Sequence, residues 1–364
     1  MLGKASNDTN ITNVPSRNFR TARWSPKGDF IVAVEQTSLD GIFPIELKVC
    51  LFDFNRNTLT LTETPPLNIS DLKVGAGINI SPDGQMLAVT PKLSPIERPL
   101  VFNITDRHNI KQILLEPNAP DASTINNPYS TQSDNSVNNV VFSADHQYLI
   151  YSVYGNEDSI LLGLSSQKER IFSYKLDTNL NKYIRTQALD QRFALNDALL
   201  TRAGNFIISA ISTTKVFQKQ SDGSFLQTDS NDEISQVGPP YTAHCHELED
   251  GTILEDYGTR FVTYKLSDTG KIVDRKVNSL ADNSNYLKDV FHNSALYLND
   301  QKHLGFVNFT NEGIQIEDIA PFDNVDAALE ICPIDESLLM STASNIELFS
   351  IEKNTLTKLK TSMQ

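Results

Sequence analysis

The chain has 364 residues and a formal net charge of -14. It holds no cluster of lysine and arginine and no basic stripe interleaved with aromatic residues, so nucleic acid and anionic membranes are poor partners. No stretch is apolar over the roughly 18 residues of a membrane helix, and MLGKASNDTNITNV lacks a signal-peptide core; a cytoplasmic location is expected, with a removed leader left open.

Residues 1–18 are polar and read as a flexible N-terminal segment that can also add an outer strand. From Phe19 one pattern repeats: a short run, a tight polar turn, and a run that is apolar almost throughout. In the first copy Phe19 to Ser25 and Phe30 to Gln36 flank Ser25-Pro26-Lys27-Gly28, and Leu47 to Phe54 and Thr58 to Thr64 complete a group of four strands. Serine accepts local hydrogen bonds, proline presets φ and glycine relieves crowding, which is type I turn chemistry and folds the two runs onto each other. The second run, as in Phe30 to Val34, Tyr148 to Tyr151 and Phe206 to Ile208, is apolar where a half-buried strand alternates. Both of its faces are therefore covered.

The pattern restarts near Gly75, Val137, Leu195, Tyr241, Asn293 and Val325. Its third strand has a signature of its own, in Leu51-Phe52-Asp53-Phe54, Val101-Phe102-Asn103-Ile104, Ile171-Phe172-Ser173-Tyr174 and Leu348-Phe349-Ser350-Ile351. Its first strand carries small residues, among them Gly77, Ala198, Ala243, Ala295 and Ala328, which let backbones crowd around an axis. Seven such units of roughly fifty residues predict an all-β fold, a seven-bladed β-propeller of four-stranded antiparallel blades that takes residues 19–364 as a single domain. Blade six is expected to be irregular, because Ser294 to Ile319 barely holds four strands, and a turn or two of helix is expected within Ser279 to Val290.

The long connections fall in two classes, from second to third strand (Thr37 to Pro44, Gly155 to Lys168) and from one blade to the next (Pro117 to Ser136, Thr228 to Pro240, Asn278 to Phe291). In a propeller both classes emerge on one face. Loops on a rigid scaffold are where binding concentrates, although long loops also accumulate where they do no harm. The three cysteines, Cys50, Cys245 and Cys332, sit in or beside apolar strands and are odd in number, so they read as buried free thiols of a reducing compartment.

Ser81-Pro82-Asp83-Gly84-Gln85-Met86-Leu87-Ala88 resembles the hallmark of TolB-like propeller repeats, and Ser25 to Ala33 nearly matches it. Val137 to Gly155 is similar to the lactonase-like propellers, with Asn138 and Asn139 where that family tends to carry histidine. Likeness to WD repeats is weaker, since Trp24 is the only tryptophan and no Trp-Asp pair closes a third strand. The resemblance covers the architecture of nearly the whole chain and implies no single chemistry, because propellers serve as scaffolds, receptors and enzymes.

Alignment on the turns puts Thr21, Gly77, Asn139, Asp197, His244, Ala295 and Ala328 at equivalent places on the innermost strands, near Arg20, Asn138, Asn196, His246, His292, Asn293, Asn324 and Asp326. Such a mouth suits a hard cation held by Asn139, Asp197, His244 and Asp326, or acid–base work by His244, His292 and Asp197, with His244 nearest neutrality. His244 and His246 share one strand face and can reach one metal. The plainer alternative is a polar channel lining that holds water. No Gly-x-Ser-x-Gly, His-Glu-x-x-His, Walker loop or Cys-x-x-Cys is present, and no cofactor is indicated. Two readings stay open: a scaffold that binds a protein partner through its loop-rich face, the acidic stretches Asn156 to Asp158 and Asp229 to Glu233 favouring a basic surface, and a lactonase-like enzyme or small-molecule or metal binder working at the channel mouth.

Overall fold

The repeated turn closes on its own hydroxyl. In a computed structural model of the chain, Ser81 Oγ accepts the Met86 N–H at 2.8 Å, the Gly84 N–H donates to the Ser81 carbonyl at 2.8 Å, and Gly84 has φ 76°. Ser143 Oγ accepts the Tyr148 N–H at 2.9 Å in the same way, with His146 standing in the glycine's place at φ 50°. Thr201 Oγ1 does so for the Asn205 N–H at 2.9 Å. The structure describes residues 17–36, 47–67, 69, 76–91, 99–116, 136–159, 164–191, 195–210, 213–231, 244–257, 260–279, 286–299, 302–310, 313–322, 328–341, 346–352, 355–359 and 362–363.

These turns join strands into seven four-stranded antiparallel blades. Blade one is β1 (Asn18–Trp24), β2 (Phe30–Gln36), β3 (Leu47–Asn55) and β4 (Thr60–Glu63). Blade two is β5 (Ala76–Ile80), β6 (Met86–Pro91), β7 (Leu100–Asn103) and β8 (Lys111–Leu115); blade three is β9 (Ser136–Phe142), β10 (Tyr148–Ser159), β11 (Leu164–Asp177) and β12 (Lys182–Gln191). Blade four is β13 (Leu195–Leu200), β14 (Asn205–Ala210), β15 (Thr214–Lys219) and β16 (Phe225–Asn231); blade five is β17 (His244–Glu247), β18 (Ile253–Asp256), β19 (Arg260–Leu266) and β20 (Ile272–Ser279). Blade six is β21 (Tyr286–Phe291), β22 (Ser294–Leu298), β23 (His303–Thr310) and β24 (Gly313–Pro321); blade seven is β25 (Ala328–Ile331), β26 (Leu338–Ser341), β27 (Ile346–Glu352) and β28 (Thr355–Lys358). A last strand, β29 (Ser362–Met363), runs parallel to β4 at the outer edge of blade one, and β8 pairs with β12 in parallel, joining blades two and three at their rims.

The core is divided among the junctions. Phe30, Val32 and Val34 of β2 pack with Leu87 and Val89 of blade two, while Ile31 and Ala33 of the same strand pack with Leu339 and Leu348 of blade seven. This is why the run Phe30 to Val34 is apolar at every position. Each of the seven buried clusters joins two consecutive blades, the one between blades seven and one included, so the sheets close into a ring. Cys50, Cys245 and Cys332 are buried in these clusters and unpaired.

Blade six corrects the expectation of irregularity, for it has four regular strands. Its first strand is Tyr286–Phe291, where Lys288 and Asp289 interrupt the apolar run, and a two-residue turn at His292 and Asn293 replaces the longer one used elsewhere. Ala295 consequently lies on β22, the second strand, and no helix forms among the described residues of 279–290. Gly155 to Lys168 is largely a continued hairpin, since β10 and β11 stay in register as far as Ser159 and Leu164. Arg17 anchors the start of blade one: it bonds Glu35 and Glu63 and lies over the Phe19 and Phe52 rings at 5.0 and 5.5 Å. Asn18 of the N-terminal segment opens β1, while residues 1–16, the loops Thr37 to Pro44 and 117–135, and residues 232–240 lie outside the described residues.

Candidate functional site at the centre of the ring

The first strand of each blade pairs on one side only within its sheet and turns its other edge to the axis. Backbone groups on that edge need partners from elsewhere. Side chains of the neighbouring blade supply them. Asn79 Nδ2 donates to the Val140 carbonyl at 2.8 Å, Asp197 Oδ2 accepts the Cys245 N–H at 2.8 Å, Asp289 Oδ2 accepts the Ile331 N–H at 2.7 Å, and Glu330 Oε2 accepts the Trp24 N–H at 2.5 Å. These four contacts staple blade two to three, four to five, six to seven, and seven to one.

A bulge aims two of the staples. The register of β13 steps between Leu195 and Asp197 and that of β21 between Leu287 and Asp289, so one extra residue tilts each strand and the aspartate that follows reaches the next blade. Each aspartate also accepts its own following N–H, Ala198 at 2.8 Å and Val290 at 2.9 Å. β1 steps between Phe19 and Thr21, and in β9 the step falls at Asn138 and Asn139, between Val137 and Val140.

Charge gathers where the staples converge. Arg23 Nη1 lies 3.5 Å from Glu330 Oε1, and its guanidinium is held in the charged form by Glu330, then Asp289 and Asp197. Burial raises the carboxyls of Glu330 and Asp289 above the usual range, against the pull of Arg23, and the charge of Asp289 pushes Glu330 further. His244 Nδ1 faces Asp197 Oδ2 at 3.7 Å, and Asp197 raises its pKa. His246, with its ring centre 6.3 Å from that of His244, is pushed down to about 4, first by burial and then by the His244 and Arg23 charges. An imidazole that holds its proton more tightly than usual thus sits beside one that holds it less tightly, with the Arg23 charge acting on both. Environments that split two titrating groups in this way suit them to act as acid and base.

Of the residues nominated from sequence, Asp197 and His244 come together. His292 does not join them: it occupies the turn between β21 and β22 at φ 49°, at the opposite end of the inner strands, with Nδ1 3.4 Å from Glu249 Oε2. Asn139 lies on β9 with its side chain outside the described residues, as is the whole of Asp326. Among the described residues no three His, Cys, Asp or Glu side chains are grouped to hold a metal ion. Arg23, Asp289 and Glu330 escaped the sequence reading. Arg23 and Glu330 stand two residues before the first turn of their blades, level with Asn79 and His246, and that offset was the available signal; Asp289 was lost with the first strand of blade six.

Neither the models of protein families nor the curated protein sequences yield a match to this chain. Solved structures do. The periplasmic gluconolactonase PpgL of Pseudomonas aeruginosa superposes with TM-score 0.61 at 10% identity over 91% of this chain and 95% of that one. The β-propeller domain of Cps50 (Swd1) from Myceliophteria thermophila gives 0.56 at 11% identity over 91% and 96%, and an acylaminoacyl peptidase of Pyrococcus horikoshii gives 0.53 at 12% identity over 94% of this chain and 52% of its own. At such identities the likeness is one of fold, and that fold is the β-propeller.

Proposed function

We propose that the protein is an interaction scaffold that binds a protein partner through the face carrying its long connections. One observation carries this reading: the carboxylates of the inner strands, the natural place for chemistry in a propeller, have both oxygens of Asp197 and of Asp289 engaged by backbone N–H groups. They hold the ring together. The WD40 repeats of RRP9 are among the structural neighbours and fit this reading. The net charge of -14 favours a basic partner surface and binding that weakens with salt. Three buried, unpaired thiols favour a reducing, cytoplasmic setting, and residues 19–364 are taken to act as one domain that limited proteolysis leaves whole. The test grafts minimal turns onto residues 37–44, 117–135 and 232–240 and repeats a pull-down from the native source. An unchanged partner set overturns the assignment.

A second reading is favoured by the opposed shifts of His244 and His246: a small-ligand site or enzyme at the channel, which the lactonase among the neighbours also fits. His244→Gln separates the two readings, because it abolishes ligand binding at the channel and leaves the partner set untouched.

A further inference from the structure

At the centre of the ring the acceptors are engaged and the donors are open. Asp197 and Asp289 each hold two backbone N–H groups, and Glu330 holds the Trp24 N–H with one oxygen and faces Arg23 with the other. Arginine carries five N–H donors in a planar fork. Among the described residues the Arg23 fork meets one partner, Glu330 at 3.5 Å, and the side chain is 51% exposed. His244 is 53% exposed and turns Nδ1 toward Asp197, which leaves Nε2 as the nitrogen open to a visitor.

We propose that the centre of the ring binds a small organic carboxylate, gripped by the Arg23 guanidinium and the His244 ring N–H. The proposal rests on the second reading above and names its ligand class. A cation is the wrong visitor, because the Arg23 guanidinium already carries positive charge there and the oxygens of Asp197 and Asp289 already face backbone N–H groups. A multiply charged anion is disfavoured by Asp197, Asp289 and Glu330 close by, whereas a single carboxylate matches one guanidinium in charge and in its planar, two-point geometry. Asp197 favours the protonated form of His244, the form that donates to such a ligand.

The test is titration of the full chain with lactate, benzoate and phenylacetate, with lactamide, benzamide and phenylacetamide as neutral isosteres and calcium chloride as the cation, followed by calorimetry and by the His244 ring resonances. The expected result is saturable binding of at least one carboxylate and none of its amide, weakened about tenfold or more in Arg23→Gln and in His244→Gln, as loss of a charge-assisted hydrogen bond requires. Arg23→Lys, which keeps the charge facing Glu330, retains part of the affinity, and Lys276→Gln on the outer rim changes nothing. No saturable carboxylate binding, or binding indifferent to both variants, overturns the proposal. If an amide or calcium binds instead and His244→Gln abolishes it, the carboxylate is wrong and the second reading stands; if no probe shifts the His244 resonances, both fall.

Discussion

Asp197 of blade four holds the backbone N–H of Cys245 in blade five, Oδ2 to N 2.8 Å, while its other oxygen holds the N–H of Ala198 at the same distance. One carboxylate thereby satisfies two strand-edge donors on two different sheets. Asp197→Ala leaves both without an acceptor, and each orphaned N–H costs about 1–3 kcal/mol. A loss of about 2–4 kcal/mol is expected, with Asp197→Asn, which keeps one acceptor oxygen, losing roughly half as much. Urea unfolding measures it. A midpoint unchanged in the alanine variant shows that water replaces the carboxylate without penalty.

The two histidines of β17 are expected to titrate on opposite sides of the ordinary value. His244, raised by Asp197, contributes stability that is complete below about 6.5 and is lost as pH rises through its folded value. His246, pushed down to about 4, does the reverse: between about 4 and 6.5 the unfolded chain binds the extra proton, so stability grows with pH through that window. Proton resonances of the imidazole rings followed from pH 4 to 8 report both. Coincident titration of the two rings overturns the assignment of acid and base.

Glu330 and Asp289 are expected to make the fold weaken with rising pH. Their folded values lie above the unfolded ones, so the native state keeps protons that the unfolded chain releases from about pH 4 upward, and stability declines as pH passes the folded values. Glu330→Gln keeps an acceptor for the Trp24 N–H and removes one titrating group. The melting temperature of this variant against pH is therefore flatter than that of the wild type, and parallel curves count against the prediction.

Gly84→Ala tests the turn. The glycine has φ 76°, and an added Cβ meets only Pro26 Cδ, at 3.9 Å, so the cost is that of the left-handed backbone alone. A loss of about 1–2 kcal/mol is expected by urea unfolding. His146, at φ 50° in the equivalent turn, is tied to Asp83 of the neighbouring blade, and His146→Gly trades that contact for an unstrained backbone.

The local signals that specified the fold were all short in range. Ser81 to Gly84 encodes its turn through its own hydroxyl and its own positive φ, and Phe30 to Val34 encodes a strand covered on both faces because successive side chains must go to opposite sides. Blade six failed the same reading because its first strand carries Lys288 and Asp289 at the bulge, where tertiary contact with Ile331 outweighs apolar patterning. The C-terminal β29 was equally hidden: two residues pair with β4 only because the ring brings the chain's last strand beside its first blade.

The sequence by itself determined the class of fold, the repeat and the place of Asp197 and His244 on the innermost strands, because turn chemistry and side-chain alternation act between near neighbours. Only the tertiary structure decided that Arg23 meets Glu330 within the field of Asp289 and Asp197, and that His292 lies elsewhere, beside Glu249. Arg23 and Glu330 lie more than 300 positions apart in the chain, on the first and seventh blades. Their contact exists because the ring closes, and no pattern within either segment encodes that closure.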